Sequence, residues 1–364
     1  MTTVSEALAG RRGPVVVRIR YELVTVSGAV IADVTPAVIS GSIEANEDRA
    51  VYRTARLVID PRRPEAASID PLTSLMRIVV DVLTGGGWEP CPVGTFVLTM
   101  PRYTVSETGT ERWEVQAFDL SRLLLDGTTT AAFSLPSGTN AVAAAAAIVA
   151  DQGLPVQFEP TTETLAAPRQ WPPGTPWLEV VNGLLQAAGC YACWFDRFGI
   201  ARSRRRADLA GMAPAVTYGP GMMLSGPAVV ESELTRLANR VIAVVTDPSL
   251  PAWSAVAENR DPNSPLSIPR LGRVFTKVIE VDSVTSQAAL QAVAERYLQQ
   301  EAGLYRRLTF TTLLDPRRDA HEVYQIDAPA PAGGRWWTRG HRFQLEPGAL
   351  MEHTVARVII GGLQ

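Results

Sequence analysis

The residues best suited to chemistry are Cys190 and Cys193, which form a C-x-x-C pair. A zinc site built on such a pair needs a second ligand pair, and a redox site needs a thioredoxin-like context. Neither is present, because no histidine is near and Cys91 is the only other cysteine in the chain. Since free cysteines are commonly buried as small apolar side chains, we predict structural thiols at all three positions.

Histidines and hydrolase motifs suggest no other site. His321-Glu322 is only the first half of H-E-x-x-H, and neither G-x-S-x-G nor the P-loop signature occurs. Gly85-Gly86-Gly87 has no following lysine and predicts a turn. We therefore predict a protein that is not an enzyme, without catalytic, cofactor-binding or metal-binding residues, although a carboxylate pair of the glycosidase type has no local signature and stays open. The histidines without metal-ligand spacing are His321, His341 and His353.

Aromatic and basic residues are better read as packing or contact groups. Aromatic residues can bind sugars, but they also anchor protein interfaces. For this chain we favour packing or an interface, and we predict that Trp336-Trp337 lies at the edge of a loop. The basic run 202–206 predicts either a solvated strand end or a contact with the acidic rim of a partner. The tryptophans considered for carbohydrate binding are Trp171, Trp177, Trp194, Trp253, Trp336 and Trp337.

Composition indicates an ordered protein of two or three domains. The chain has 364 residues, of which 46% are apolar and 20% charged, and its net charge is −3. This charge does not favour a nucleic-acid-binding surface. The N-terminus lacks the features of a signal peptide, and no apolar run reaches the roughly 18 residues of a membrane span, so we expect no stable membrane insertion.

The strongest local pattern is residues 175–206. Thr175 is predicted to cap a helix with Pro176 in its first turn, and Gly189 to end it. A strand, a tight turn and a returning strand then follow at 191–195, 196–199 and 200–204.

Both flanks of this stretch are rich in strand patterns. On the N-terminal side, residues 53–60 alternate with Ala55, Leu57 and Ile59 on one face. Residues 94–99 and 112–118 are predicted as the arms of a hairpin with its tip at 106–109, and Thr139 as the cap of a helix. On the C-terminal side we predict a long loop at 247–272 and an amphipathic helix at 286–303.

The two β-rich ends share a weak repeat. Tyr52-Arg53, an alternating strand and Asp60-Pro61-Arg62-Arg63 are matched by Tyr305-Arg306-Arg307, an alternating strand and Asp315-Pro316-Arg317-Arg318. Each is followed by a plausible hairpin. This pattern predicts a structural duplication.

The order of these elements resembles the baseplate-hub or tail-tip hub proteins of tailed bacteriophages and related phage-tail-like particles. No single motif is specific to that family, and the likeness depends on their order along most of the chain. The stretches that carry it are 56–60, 92–98, 115–119, 189–199, 261–272, 288–298 and 305–316.

The resemblance implies a β-rich α+β fold with two barrel-like β domains flanking a smaller α/β insert region. The boundaries expected are an N-terminal barrel-like domain at 1–130, an α/β insert at 131–230, and a second barrel-like domain at 231–364 that includes the amphipathic helix.

It also implies a structural virion protein at the tail tip or baseplate, assembled in the host cytoplasm. The expected homotrimer would form a pseudo-sixfold ring between the hexameric tail tube, or a distal tail protein, and a central threefold spike or fibre. Other baseplate proteins would bind the ring, and genomic DNA would pass through it. The alternatives are a tail-associated cell-wall or polysaccharide hydrolase and a receptor- or carbohydrate-binding β module.

Overall fold

The structure is a computed structural model. It describes residues 16–105, 109–206, 212–219, 221–222, 228–233, 238–246, 252–264, 266–281, 286–300, 304–329 and 331–359.

The N-terminal part contributes eight strands, and the inward side chains of seven of them form or pack against one apolar core, whereas the strand at 102–105 is exposed. Alternation explains this core, since every second residue of β4 is buried, as the sequence pattern predicts. The strands are β1 (Val17–Val24), β2 (Val30–Asp33), β3 (Val38–Asn46), β4 (Arg53–Ile59), β5 (Leu75–Thr84), β6 (Gly87–Leu98), β7 (Arg102–Val105) and β8 (Glu111–Asp119).

The middle part is a small α/β unit with its own core. Its helices pack their apolar faces together, and β10, β13 and β12 form a three-stranded sheet beside a two-stranded pair of β9 and β11. The elements are α1 (Ser121–Asp126), β9 (Phe133–Leu135), α2 (Ala141–Asp151), β10 (Val156–Phe158), β11 (Arg169–Trp171), α3 (Trp177–Ala187), β12 (Trp194–Phe195) and β13 (Ala201–Ser203).

The C-terminal part returns to strands and contains a second α/β unit. In that unit β17, β16 and β18 form a sheet, and Leu290 and Ala294 of helix α5 are buried against it. The elements are β14 (Val216–Tyr218), β15 (Val229–Glu233), β16 (Arg240–Val245), β17 (Ser254–Glu258), α4 (Ile268–Leu271), β18 (Thr276–Val281), α5 (Gln287–Gln300), β19 (Leu304–Leu313), β20 (Val323–Ile326), β21 (Gly334–Gln344) and β22 (Leu350–Ile359).

The predicted duplication is confirmed by the strand order. The first half runs β3-β4-β8-β6-β5-β1, and the second half runs β15-β19-β22-β21-β20-β14. Corresponding neighbours are antiparallel in both halves, except that β14 runs parallel to β20 whereas β1 is antiparallel to β5. We call these two sets of strands the first half and the second half.

The halves join through β21 and β3, which makes one 14-stranded sheet. Among the described residues no pairing closes this sheet into a ring, so the barrel-like domains expected from the resemblance are not closed barrels. The expectation of a β-rich α+β fold is confirmed. The proposed boundaries at 130 and 230 stay a prediction.

Both predicted helix caps are wrong. Asn140, not Thr139, caps α2 through a 2.9 Å bond from Ala143 N to its side-chain oxygen. Pro176 occupies the N-cap position of α3, and the Thr175 hydroxyl instead donates to Pro172 O at 2.8 Å. Gly189 does follow the helix, with the left-handed φ of 69° that favours glycine.

Three further predictions need correction. The predicted loop at 247–272 contains strand β17 and the short helix α4. The predicted strand at 191–195 shortens to β12. Trp336-Trp337 lies within β21 and not at a loop edge, and Trp336 is fully buried. The predicted hairpin between 94–99 and 112–118 is correct in part, because residues 111–114 of β8 pair with β7 and residues 117–119 pair with the end of β6. Residues 106–108 of its tip lie outside the described residues.

Candidate functional site: the junction between the halves and the free sheet edges

The predicted structural thiols are buried in the structure. Arg197 donates to the Cys91 sulfur at 2.9 Å, whereas Cys190 and Cys193 lie in the core of the middle α/β unit. Burial raises the pKa of each thiol, which disfavours the reactive thiolate. Across the described part of the chain, no three histidine, cysteine, aspartate or glutamate side chains are grouped so as to hold a metal ion.

The histidines are buried at or near the β21–β3 junction. His341 of β21 lies opposite Ala45 of β3, and His353 lies opposite His341 on β22. His353 stacks on Phe310, and its Nε2 lies 2.9 Å from the Thr312 hydroxyl. Burial lowers the pKa of His353 to about 3, and it lowers the pKa of His341 as well. These imidazoles are therefore neutral packing groups and not titrating catalysts near neutral pH.

The His353 pKa predicts a stability that falls in acid. The imidazole of an unfolded chain takes up a proton near pH 6.5, whereas the folded one does so only near 3, so acidification across this window favours the unfolded state. His353→Gln keeps a polar partner for Thr312 but does not titrate. We expect its thermal midpoint to fall less than that of the wild type between about pH 7 and about pH 4. Parallel falls for the two proteins, measured by circular dichroism, would contradict this assignment.

Arg53 is the central side chain of the junction. It is 1% exposed, and its guanidinium donates to Asp319 at 2.9 Å and to Phe195 O at 3.3 Å, while its backbone N–H donates to Asp119 at 2.8 Å. Burial, the largest single effect, disfavours its charge, but Asp319 together with Tyr52 and Asp119 outweighs this and keeps the pKa of Arg53 above its ordinary value. One arginine thus ties together the first half, the middle α/β unit and the second half.

The turn that carries Asp319 is held by further contacts. His321 has a left-handed φ of 55°, stacks on Tyr191 with ring centres 4.2 Å apart, and meets the edge of Trp194 at 4.6 Å. Its Nδ1 lies 3.4 Å from a Glu47 oxygen, and its carbonyl accepts a bond from Arg204. Burial, and next the charge of Arg204, lowers the pKa of His321 to about 3, so this contact with Glu47 is a neutral one near pH 7.

The basic run 202–206 is used within the chain. Arg202 pairs with Asp196 at 2.8 Å, Arg205 pairs with Glu163, and Arg206 lies over the ring of Tyr191. Together with the bond from Arg204 to His321, these contacts tie the run to its own chain. Arg205 and Arg206 are exposed, so a solvated strand end and a contact with a partner's acidic rim both stay predictions.

Two carboxylates at the junction have perturbed pKa values. Burial raises the pKa of Glu322 to about 7 in spite of Arg318 at 3.1 Å, and burial also raises the pKa of Asp119. Such values can mark an active site, but they also arise in structural ion-pair networks. A cleft of about 220 Å³ lies nearby, and its lining arginines Arg339 and Arg342 are already paired with Asp48 and Glu352.

The sheet has free edges that the sequence did not reveal. Among the described residues, four of its strands have a single partner: β15 pairs with β19, β7 with β8, β2 with β1 and β14 with β20. Thr99, just before β7, also bonds through its N–H to Gln116 O on β8 at 2.9 Å, so residues 99–105 lie along one side of β8. We call the outer side of this stretch the 99–105 edge; the described residues pair no strand with it. Unpaired strand edges are templates for pairing with another chain.

The two Asp-Pro-Arg-Arg turns have the same geometry but unequal exposure. In each, the aspartate accepts bonds from the backbone N–H and the guanidinium of the first arginine, Arg62 or Arg317. The Arg62 side chain is 60% exposed, whereas that of Arg317 is 20% exposed. Leu314, just before the second turn, is part of the first-half core, so the first half covers the second turn.

Solved structures with the same architecture include three tail proteins. The tail protein of Neisseria meningitidis MC58 is 14% identical, with 94% of this chain and 96% of that one covered at a TM-score of 0.63. The 43 kDa tail protein of prophage MuSo2 from Shewanella oneidensis is 14% identical, with 93% and 98% covered at 0.63. Prophage tail protein gp18 from Listeria monocytogenes EGD-e is 9% identical, with 92% and 94% covered at 0.55.

These structures define the class of fold. The chain has the fold of prophage tail proteins over nearly its whole length, as the sequence resemblance predicted. No protein-family model and no curated protein matches it. Within the described residues, no helix combines the length and the apolar character that a membrane crossing requires.

Proposed function

We propose that this protein is a structural, non-enzymatic component of a phage tail, namely the hub of the tail tip or baseplate. In this role it forms a homotrimeric ring within the virion and joins the sixfold tail tube, or a distal tail protein, to a threefold spike or fibre. Other baseplate proteins bind the ring, and assembly takes place in the host cytoplasm. The likeness in fold to prophage tail proteins supports this role.

The duplication is the observation that carries the proposal. Two halves with one strand order give three copies of the chain six near-equivalent sheet units, which matches a sixfold neighbour. The halves also differ in how two of their strands are connected. The first half connects β3 to β4 by the turn 47–52, whereas the second half places the α/β unit of β16–β18 and α5 between β15 and β19. Alternate units would therefore carry this insert, which gives the ring a threefold surface.

The polar face of the sheet suits a channel for DNA. Thr311, Glu352, Arg342, Glu44 and Thr54 lie opposite one another across five strands, on the side away from the buried histidines. Both charge signs occur there, and Arg342 pairs with Glu352 at 2.9 Å. A face without a net basic charge would not hold phosphates tightly, so it favours passage over binding.

The two alternatives have less support. A hydrolase needs a cleft with groups poised for acid–base work, whereas the perturbed carboxylates here serve ion pairs at the junction. A carbohydrate-binding module would use exposed tryptophans, whereas Trp336 and Trp194 are buried. Loss of turbidity by host cell walls on adding the protein would support a hydrolase, and retention on immobilised glycans would support a binding module.

The proposal predicts a trimer with a central channel. We expect light scattering of the purified full-length protein to give three times the mass of the 39.3 kDa chain, and negative-stain electron microscopy to show threefold rings. The same rings should carry this chain in isolated tail tips, identified there by antibody labelling. Absence of a threefold ring that contains the chain, both in the purified protein and in tail tips, would contradict the hub role.

A further inference from the structure

The junction within the chain is a template for a contact between copies. Strand β21 shares one of its sides between two partners, with β20 along Gly334 to Trp337 and β3 along Gly340 to Gln344. In the duplicated order, β6 and its continuation correspond to β21, β5 corresponds to β20, and β15 corresponds to β3. Strand β5 is present beside β6, but no strand of the described residues occupies the place that corresponds to β3.

Two of the free edges, the 99–105 edge and the outer side of β15, are the ones that the duplication pairs. The 99–105 edge continues past the last residue of β6 that pairs with β5, Val97, just as β21 continues past β20. Strand β15, in the position of β3, has its own unpaired side. The pairing that joins the two halves within a chain therefore has a counterpart that is not formed in a single copy. That counterpart would join the first half of one copy to the second half of another.

The side chains on these edges are complementary. Met100, Tyr103 and Val105 are 63%, 64% and 65% exposed, and Val229 of β15 is 45% exposed, so pairing would remove apolar surface from water. A second copy of this chain thus supplies an apolar match.

The unequal exposure of the Asp-Pro-Arg-Arg turns supports the same arrangement independently. The second-half turn is covered by the first half of its own chain, and Arg317 is accordingly only 20% exposed. Arg62 of the first-half turn is 60% exposed, and no described segment of the chain covers it in the corresponding way. The second half of a neighbouring copy would cover it.

We propose that β15 of one copy pairs with the 99–105 edge of the next, as β3 pairs with β21 within the chain, and that this contact also covers the Asp60–Arg62 turn. The contact is head-to-tail, so it closes copies into a ring when the rotation between them fits, and the ring has three members in the proposed hub. This inference rests on the proposed trimeric hub, but it makes a separate statement about which surfaces meet.

Cross-linking tests the contact directly. In Tyr103→Cys/Val229→Cys, a short bismaleimide is expected to give covalent dimers and trimers on a denaturing gel, because the new thiols face each other across copies while the native cysteines are buried. The matched control is Val278→Cys/Val229→Cys, which places the first thiol at an equally exposed position, 54%, on the separate β16–β18 sheet. Covalent trimers from the control at the same yield would overturn the contact.

The outcomes separate this inference from the hub proposal. A native trimer of Tyr103→Cys/Val229→Cys by light scattering, without covalent species after the reagent, overturns the contact but not the ring. A wild-type chain that forms rings neither alone nor in tail tips overturns the ring.

Discussion

Replacement of Arg53 by methionine is expected to lower the free energy of unfolding by about 3–5 kcal/mol, because it breaks a buried ion pair by removing one partner. Methionine fills much of the same volume but cannot donate to Asp319 or to Phe195 O, which Arg53 reaches at 2.9 and 3.3 Å. Asp119, fully buried beside it, also loses a compensating positive charge. Chemical denaturation at neutral pH, followed by circular dichroism, measures the change.

The segments of the chain that lose protection from hydrogen exchange distinguish a junction residue from an ordinary core residue. Since Arg53 joins segments around Phe195 and Asp319, we expect faster amide hydrogen exchange at 195–199 and 319–323 in Arg53→Met, with the middle α/β core less affected. Arg62→Ala provides the control on the other end of β4, since Arg62 is 60% exposed and pairs only with Asp60. Equal effects of the two substitutions would show that burial of Arg53 does not govern its contribution.

The inward position of Arg53 could be predicted from the sequence, but its partner could not. Alternation places Ala55, Leu57 and Ile59 on the inward face of β4, and the same parity places Arg53 there. A charged residue on an inward position needs a partner. The partner, Asp319, lies 266 positions away, and nothing local to either residue indicates that pairing.

The duplication could be predicted because both halves contain the same local turn. The aspartate of each Asp-Pro-Arg-Arg turn bonds to the arginine two residues later, so the turn depends on four consecutive residues and is visible in the sequence. The pairing that joins the halves has no such sequence motif, because β21 and β3 meet through backbone hydrogen bonds that almost any side chain allows.

The wrong local predictions have similar physical causes. Strand β17 buries only the alanines Ala255 and Ala257, whose weak apolar signal lies within a proline-rich stretch. Trp336 was assigned to a loop edge because Gly333-Gly334 precedes it, but Gly334 instead begins the strand with a φ of 109°. In both cases the tertiary environment outweighs a local cue.

Trp336→Ala is the second substitution with a large expected effect, a loss of about 3–5 kcal/mol through the cavity that it leaves. Trp336 is fully buried in the second-half core with Phe310 and Tyr324, and its Nε1 donates to Ala332 O at 2.7 Å. The Arg357 guanidinium lies 4.1 Å from the ring centre, so the substitution also removes a cation–π contact.

The matched control is Trp88→Ala in the β5–β6 hairpin, where the side chain is 40% exposed although Arg18 lies over its ring at 4.6 Å. Both tryptophans thus lose an arginine contact, and only Trp336 leaves a buried cavity. Urea denaturation should therefore show a much larger shift for Trp336→Ala. If the hub ring forms as proposed, Trp336→Ala should also weaken the trimer, because the second-half core supports strand β19, which pairs with β15. Equal urea midpoints for the two variants would show that the loss of stability comes from the cation–π contact and not from the cavity.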